Sequence, residues 1–318
     1  MTPQLPVLAI VVPCHNEEEV IQETARQLLN VLSGLVVEDK IHHDSFVYFV
    51  DDGSHDNTWH LVTEMHELNP SIKGLKLSRN VGHQSALLAG LLTVKIHADC
   101  VISIDADLQD DVTVIPQFIE NFLNGAEIVY GVRNRRKADT FFKRNTALFF
   151  YALMRAMRVE IVYNHADYRL CSRRVLDALE GFQERNLFLR GIFPLIGYKS
   201  EVVYYNRHER FAGESKYPLL KMLAFAIDGI TSFSVIPLRL VTLMGFAISA
   251  MSLLIVAFLL TQTLMIGGTV PGWASTVLPI YFIGGVQLLG LGVVGEYVGK
   301  IYKEAKARPR FFCDYELF

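Results

Sequence analysis

From Leu240 to Gly295 the chain carries no Asp, Glu, Lys, Arg or His; all 30 Lys and Arg and all 33 Asp and Glu lie outside that block. A helix on the surface of a soluble domain turns one face to water and needs polar residues there. A block this long without charge needs a different solvent. It divides at "GGTVPGWAST" (267 to 276) into apolar runs of about 240 to 265 and about 277 to 298, each sufficient for the roughly 20 residues that span a bilayer. The sequence therefore predicts a two-helix transmembrane hairpin.

Both ends of a hairpin lie on one side of the membrane. Lys221 and Arg239 precede the block, Lys300, Lys303, Lys306, Arg308 and Arg310 follow it, and the connecting loop is uncharged. The positive-inside bias places both termini in the cytoplasm. "LPVLAIVVP" near the start is short, lacks a basic flank and runs into "CHNEEE", so it reads as a strand and not as a signal peptide. The expected organisation is a cytoplasmic domain over 1 to 215, a juxtamembrane amphipathic segment over 216 to 239, the hairpin over 240 to 298 and a basic tail over 299 to 318. A net charge of −3 points to no nucleic acid partner. Cys14, Cys100, Cys171 and Cys313 show no CxxC spacing, as suits a reducing compartment without structural zinc.

In the first part of the chain, short β-branched or aromatic runs alternate with helix-length segments: "VLAIVV" (7 to 12), "FVYFV" (46 to 50), "GLKLS" (74 to 78), "CVISI" (100 to 104) and "EIVYG" (127 to 131). That alternation predicts an α/β domain with a mostly parallel sheet and crossover helices. In such sheets, ligands bind beyond the carboxyl ends of the strands. Those ends read "PCHNEE", "DDGSHDNT", "RNVGHQS" and "DADLQDD", so four polar clusters should converge on one edge. A Rossmann GxGxxG is excluded, because no glycine occurs before Gly34, and GxxxxGK[ST] is absent. Phosphates would have to be held by something other than a glycine-rich loop. Asp105 and Asp107 would project to one side if strand geometry persisted to them, and two carboxylates about 6 Å apart repel by roughly 3 kcal/mol at an effective dielectric near 20. With the amide oxygen of Gln109 they make a hard oxygen set for Mg²⁺ or Mn²⁺ and the diphosphate it would neutralise. Asp110 and Asp111 read as the solvated start of the next helix.

These motifs, in this order, resemble the inverting family 2 glycosyltransferases of GT-A fold. The whole chain is similar to the polyprenyl-phosphate glycosyltransferases related to dolichyl-phosphate mannose synthase and bactoprenol glucosyltransferase. The likeness runs from "VVPCHNEEE", "VDDGSHDNT", "SRNVGHQSALLAG" and "DADLQDD" through "ADYRLCSR", "ERNLFLRG" and "RFAGESKY" to "GEYVGKIYKEAKARPRF". It implies that Pro13, His15, Asn16, Glu17 and Asp52 line the nucleoside site, with Asp52 on the base and His15 where many relatives carry Tyr. Arg79, Asn80 and Ala106 would join the nucleotide site, and Asp105, Asp107 and Gln109 would hold metal and diphosphate. Arg133 and Arg144 would face the acceptor phosphate, while Arg210, Ser215 and Lys216 would sit on a loop closing over the phosphates. Asp167 matches the residue proposed as base. A phosphate monoester, with a second pKa near ~6, needs little deprotonation, so Asp167 could instead orient Arg169 or a sugar hydroxyl.

The resemblance implies transfer of a sugar, glucose first among the options and GlcNAc, aminoarabinose or mannose after it, from a UDP-sugar to undecaprenyl or another polyprenyl phosphate by a membrane-bound homo-oligomer. Two segments suit an enzyme working at a bilayer: 141 to 158, which mixes aromatic and aliphatic residues with Lys143, Arg144, Arg155 and Arg158, and 216 to 239. An amphipathic core helix remains the alternative for the first. A processive polysaccharide synthase would carry QxxRW and more membrane helices, whereas a non-catalytic scaffold or flippase subunit would not need polar clusters at four strand ends.

Overall fold

The computed structural model describes residues 5–134, 165–185, 188–207, 236–266 and 272–318. Arg144, Arg210, Ser215 and Lys216, the segment 141 to 158 and most of 216 to 239 lie outside the described residues. The chain divides into two compact units. One comprises 1 to 153, 160 to 218 and 308 to 318; the other comprises 154 to 159 and 219 to 307.

The first unit is built on an eight-stranded sheet. Its strands are β1 (Leu8–Cys14), β2 (Phe46–Asp51), β3 (Ile72–Leu77), β4 (Cys100–Ser103), β5 (Ile128–Arg133), β6 (His165–Ser172), β7 (Ser200–Tyr205) and β8 (Cys313–Leu317), in the order β7-β5-β6-β4-β1-β2-β3-β8. β1 pairs in parallel with β2 and β4, β2 with β3, and β5 with β7, while β6 and β8 run antiparallel to their neighbours. The five strands read from the alternation are all present. β1 and β2 are buried at every residue, as unbroken apolar runs must be when helices cover both faces.

Helices α1 (Ile21–Val37), α2 (Thr58–Leu68), α3 (His83–Val94) and α4 (Ile115–Leu123) make the crossovers. α1 buries Ile21, Ala25, Leu28, Leu32 and Leu35, one helical stripe. It shares a core with the face of β1 formed by Leu8, Ile10 and Val12 and with Phe118 and Ile119 of α4. α3 packs on β1 and β2, buried nearly all round from Ala86 to Leu91. At Gly90 a Cβ would stand 2.6 Å from side-chain carbons of both Val11 and Val50, so glycine lets α3 settle on the sheet. After β6 come α5 (Arg173–Glu180) and α6 (Leu189–Ile196).

The end of the chain contributes an edge strand where the sequence suggested only a basic tail. β8 pairs with β3, Tyr48 Oη donates to Glu316 at 3.0 Å, and the Phe318 ring lies 5.6 Å from that of Phe46 under the Lys73 ammonium. Cys313, Asp314 and Glu316 mask the signal, because an edge strand exposes one face and lacks a continuous apolar run.

In the second unit, two long helices occupy the charge-poor block: α7 (Ile236–Ile266) and α8 (Trp273–Ala305), which contact each other. Among the described residues, Phe282–Ala305 is long and apolar enough to cross a membrane, and Ile236–Ile248 is apolar but shorter.

Candidate active site

The carboxyl ends of β1 and β2 are stitched together. Asn16, held at φ +55, receives the His55 N–H on Oδ1 (2.9 Å) and donates its own N–H to Ser54 Oγ (3.0 Å). Glu17 N–H donates to Thr58 Oγ1 and Glu18 accepts from Asn57 N–H, both at 2.9 Å. His15 Nδ1 lies 3.0 Å from the Asp52 carbonyl oxygen, which fixes the imidazole against the second loop. Pro13, the last but one residue of β1, is buried beneath it.

Asp52 is 3% exposed, and both of its carboxylate oxygens hold backbone: Oδ1 accepts from Val81 N–H at 2.7 Å and Oδ2 from Gly82 N–H at 3.0 Å. The structure thus gives Asp52 the task of shaping the loop before α3, which contains Arg79 and Asn80, in addition to any contact with a base. Gly53 makes the approach possible. At φ +63 a Cβ there would lie 2.5 Å from the Arg79 carbonyl carbon and 2.6 Å from Asn80 N, closer than any side chain tolerates.

β4 ends at Ser103. Asp105 and Asp107 therefore lie in the loop beyond it, and strand alternation does not set their directions. Instead Leu108 takes the left-handed region at φ +54, an uncommon conformation for a branched residue and one that collects at functional turns. Thr24 Oγ1 donates to the Ala106 carbonyl at 2.8 Å, tying the turn to α1, and Asp107 Oδ1 accepts from Gln109 N–H at 3.2 Å. Burial pushes the Asp105 carboxyl up to about 6; His83 opposes this, and Asp110, Asp167 and Asp107 add to it. Desolvation is the main cause, so a cation beside Asp105 and Asp107 would restore what burial takes from the ionised form. The Gln109 amide oxygen has another partner, because it accepts from Arg207.

One expectation changes here. Asp110 is not solvated: it is 2% exposed, and its Oδ1 accepts from Arg133 Nη2 (2.9 Å) and from Tyr205 Oη (2.6 Å). A buried carboxylate needs a cation and hydrogen bonds, and β5 and β7 supply both. Arg133, assigned to the acceptor phosphate, is thereby engaged within the protein. Asp111, as expected, starts the next helical turn; its Oδ1 accepts from Thr113 N–H at 2.9 Å.

Asp167, on β6, is 9% exposed and surrounded by cations. Arg169 Nη2 donates to Oδ1, Arg190 Nη2 to Oδ2 at 3.2 Å, and His83 Nε2 stands 3.6 Å from Oδ2 and equally 3.6 Å from Asp105 Oδ1. Burial opposes ionisation, but Arg190, His83 and Arg169 hold the carboxyl well below the usual range. On His83 burial works downward, and Asp167 and Asp105 outweigh it and raise the imidazole pKa. His83, Gln84, Arg190, Arg207 and the buried role of Asp110 were missed from sequence. The first three stand in the quoted stretches "VGHQS" and "ERNLFLRG", but nothing in one sequence pairs residues more than 80 positions apart.

The sequence model of glycosyl transferase family 2 matches residues 9–180. The chain belongs to glycosyl transferase family 2. The sheet that carries the site is its α/β GT-A domain, and the protein is a glycosyltransferase enzyme. It is 55% identical over 313 residues to an uncharacterized glycosyltransferase of Bacillus subtilis (strain 168), YkoT, covering 98% of this chain and 93% of the relative. It is 40% identical over 308 residues to the bactoprenol glucosyl transferase of Shigella phage SfX, covering 96% and 97%. Among solved structures, mannosyl-3-phosphoglycerate synthase from Rubrobacter xylanophilus aligns with a TM-score of 0.48 at 14% identity, over 71% of this chain and 73% of that one.

Proposed function

We propose that the enzyme transfers a sugar, glucose foremost, from a UDP-sugar to the phosphate of a membrane polyprenol such as undecaprenol, with inversion at the anomeric carbon. The observation that carries this reading is the convergence of the Asp105, Asp107, Asp167 and His83 cluster with the loops of Asn16 and Asp52 at one sheet edge, in a chain similar over nearly its whole length to a bactoprenol glucosyl transferase. In the reaction, a phosphate oxygen of the acceptor bonds to the anomeric carbon. The bond from that carbon to the β-phosphate oxygen breaks, and its electron pair leaves with UDP. The acceptor is mostly a dianion at neutral pH, given a second pKa near ~6, so no proton need be removed.

The loops of Pro13, His15, Asn16, Glu17, Asp52, Arg79 and Asn80 would bind the nucleoside, and Arg210, Ser215 and Lys216 would close over the phosphates. Asp105 and Asp107 would hold Mg²⁺ or Mn²⁺, which supplies positive charge to the leaving diphosphate. Gln109 would join them if Arg207 released it. Arg144 would face the acceptor, as would Arg133 if its pairing with Asp110 allowed it.

α7 and α8 would form a membrane hairpin with both termini in the cytoplasm, tethering the catalytic unit to the bilayer that carries the lipid phosphate; the charge-free block from Leu240 to Gly295 and the basic residues flanking it support this. The working form would be a homo-oligomer at the cytoplasmic membrane. GlcNAc, aminoarabinose and mannose are the alternative sugars. A screen of sugar nucleotides with membranes containing the protein and undecaprenyl phosphate tests the reading. UDP release that depends on acceptor and divalent metal, fastest with UDP-glucose and absent in Asp107→Ala, supports it; no release from any sugar nucleotide overturns it.

A further inference from the structure

Three stretches far apart in sequence meet around one side chain. Arg190 is the second residue of α6, a helix whose Leu189, Gly191, Ile192 and Phe193 are buried and which therefore cannot drift. Its guanidinium faces Asp167 edge on, with Nε 3.4 Å from Oδ1 and Nη2 3.2 Å from Oδ2, the two-point geometry that fixes the plane of the fork. Gln84 Oε1 accepts from Leu189 N–H at 3.0 Å, satisfying a donor that the start of a helix leaves open. One residue earlier, His83 brings a single atom, Nε2, to 3.6 Å from both Asp167 Oδ2 and Asp105 Oδ1. The pair His83-Gln84 therefore clasps the helix bearing Arg190 to the loop bearing Asp105.

The charge within this assembly is uneven. One carboxylate, Asp167, stands against two guanidiniums and an imidazole. Arg169 is fully buried on the Phe193 ring at 4.3 Å, and its Nε and Nη1 have no hydrogen-bond partner among the described residues. Arg190, in contrast, keeps 34% of its side chain open to solvent. A general base should be a carboxylate with its lone pairs free to take a proton, whereas both oxygens of Asp167 face cations. A fork held in plane, partly exposed and one histidine away from Asp105, is suited to a phosphate.

We infer that Arg190 is a phosphate-contacting residue of the reaction centre and that Asp167, with Gln84, is a positioning residue for it and not the catalytic base. The inference rests on the reading of the enzyme as a transferase acting on phosphate-bearing donor and acceptor. The phosphate can belong to the UDP-sugar or to the lipid, and steady-state kinetics separate the two.

The test uses the full-length protein in detergent with UDP-glucose and undecaprenyl phosphate, comparing wild type, Arg190→Gln, Arg190→Gly, Asp167→Asn, Gln84→Ala and the double variant Arg190→Gln/Asp167→Asn. Arg190→Gln should raise KM for one of the two substrates by roughly 10- to 100-fold, the range for loss of a charged hydrogen-bonding partner. UDP affinity, measured by calorimetry, should weaken only if that substrate is the donor. Asp167→Asn should lose activity by a similar factor at every pH from 5.5 to 8.5, the double variant should be no worse than the poorer single one, and added guanidinium should restore part of the Arg190→Gly activity. Gln84→Ala should raise the same KM by a smaller factor. Wild-type kinetics in Arg190→Gln, or a lower kcat with both KM values unchanged and no guanidinium rescue, overturns the inference. So does an Asp167→Asn defect confined to low pH, where the acceptor is protonated. Failure of the wild type to turn over any sugar nucleotide would instead strike the functional reading itself.

Discussion

Asp110→Ala removes the acceptor shared by two groups, Arg133 and Tyr205, at once, which makes its cost calculable. The Asp110 side chain is 1% exposed and that of Arg133 17%. Deleting one partner of a buried ion pair typically costs about 3 to 5 kcal/mol, because the other charge remains desolvated. Tyr205 Oη would lose its acceptor too, adding about 1 kcal/mol or more. Two features of the site work the other way. Arg133 retains some contact with water, and Asp110 Oδ2 has no partner among the described residues, so a standing penalty disappears with the carboxylate. The balance is a loss of about 3 kcal/mol in the stability of the catalytic unit. Urea unfolding in detergent, with chelator present and Trp59 fluorescence read in a Trp273→Phe background, measures it locally, because Trp59 packs against the core of that unit. If the Arg133 charge left without Asp110 is the cause, adding Arg133→Leu to Asp110→Ala should recover at least half the loss. A single variant within about 0.5 kcal/mol of wild type, the spread of ordinary surface substitutions, or a double variant no better than the single, would refute the reasoning.

Three other outcomes follow from the same geometry. Asp105 is held near 6 in the folded protein, above the unfolded value of about 3.9; its charge therefore costs stability that is lost as pH rises from about 4 to 6, and Asp105→Asn in chelator should raise the thermal midpoint at pH 7.5 with the gain vanishing near pH 4. A midpoint unchanged at pH 7.5 would contradict this. Gly53→Ala forces a Cβ to within 2.5 Å of the Arg79 backbone and should cost about 2 kcal/mol or more, with weaker UDP binding by calorimetry because the 79 to 82 loop moves; wild-type binding and stability would show the contact to be soft. Removing 313 to 318 bares the β3 edge and the Phe46 and Tyr48 rings, so limited proteolysis should cut the catalytic unit faster, and an unchanged digestion rate would argue against β8 pairing in solution.

The central strands were legible because parallel strands buried on both faces must be continuous apolar runs, and "VLAIVV" and "FVYFV" are such runs. β6 was not, because "HADYRLCS" carries Asp167 and Arg169 into the sheet, where their pairing with each other and that of Asp167 with Arg190 and His83 make burial tolerable. β7 was hidden by its exposed residues alternating with Val203 and Tyr205, and β8 by the exposure of Cys313 to Glu316. At the site, the loop residues after β1, β2 and β4 could be found from position alone. Their partners could not: Asp110 looked like any acid before a helix, since nothing local announces that Arg133 and Tyr205 reach it from 23 and 95 residues away. Asp52 was legible as an acid after β2, but its hold on the next loop, through the Val81 and Gly82 N–H groups, was not.

The proposed reaction is tested most directly by one measurement: mass spectrometry of the lipid fraction after purified protein is incubated with UDP-glucose, undecaprenyl phosphate and Mg²⁺ or Mn²⁺. It predicts a lipid heavier by one hexose, with UDP released in equal amount, and neither product from Asp107→Ala. UDP-glucose and the other sugar nucleotides left intact, or glucose released to water with the lipid phosphate unchanged, would contradict it.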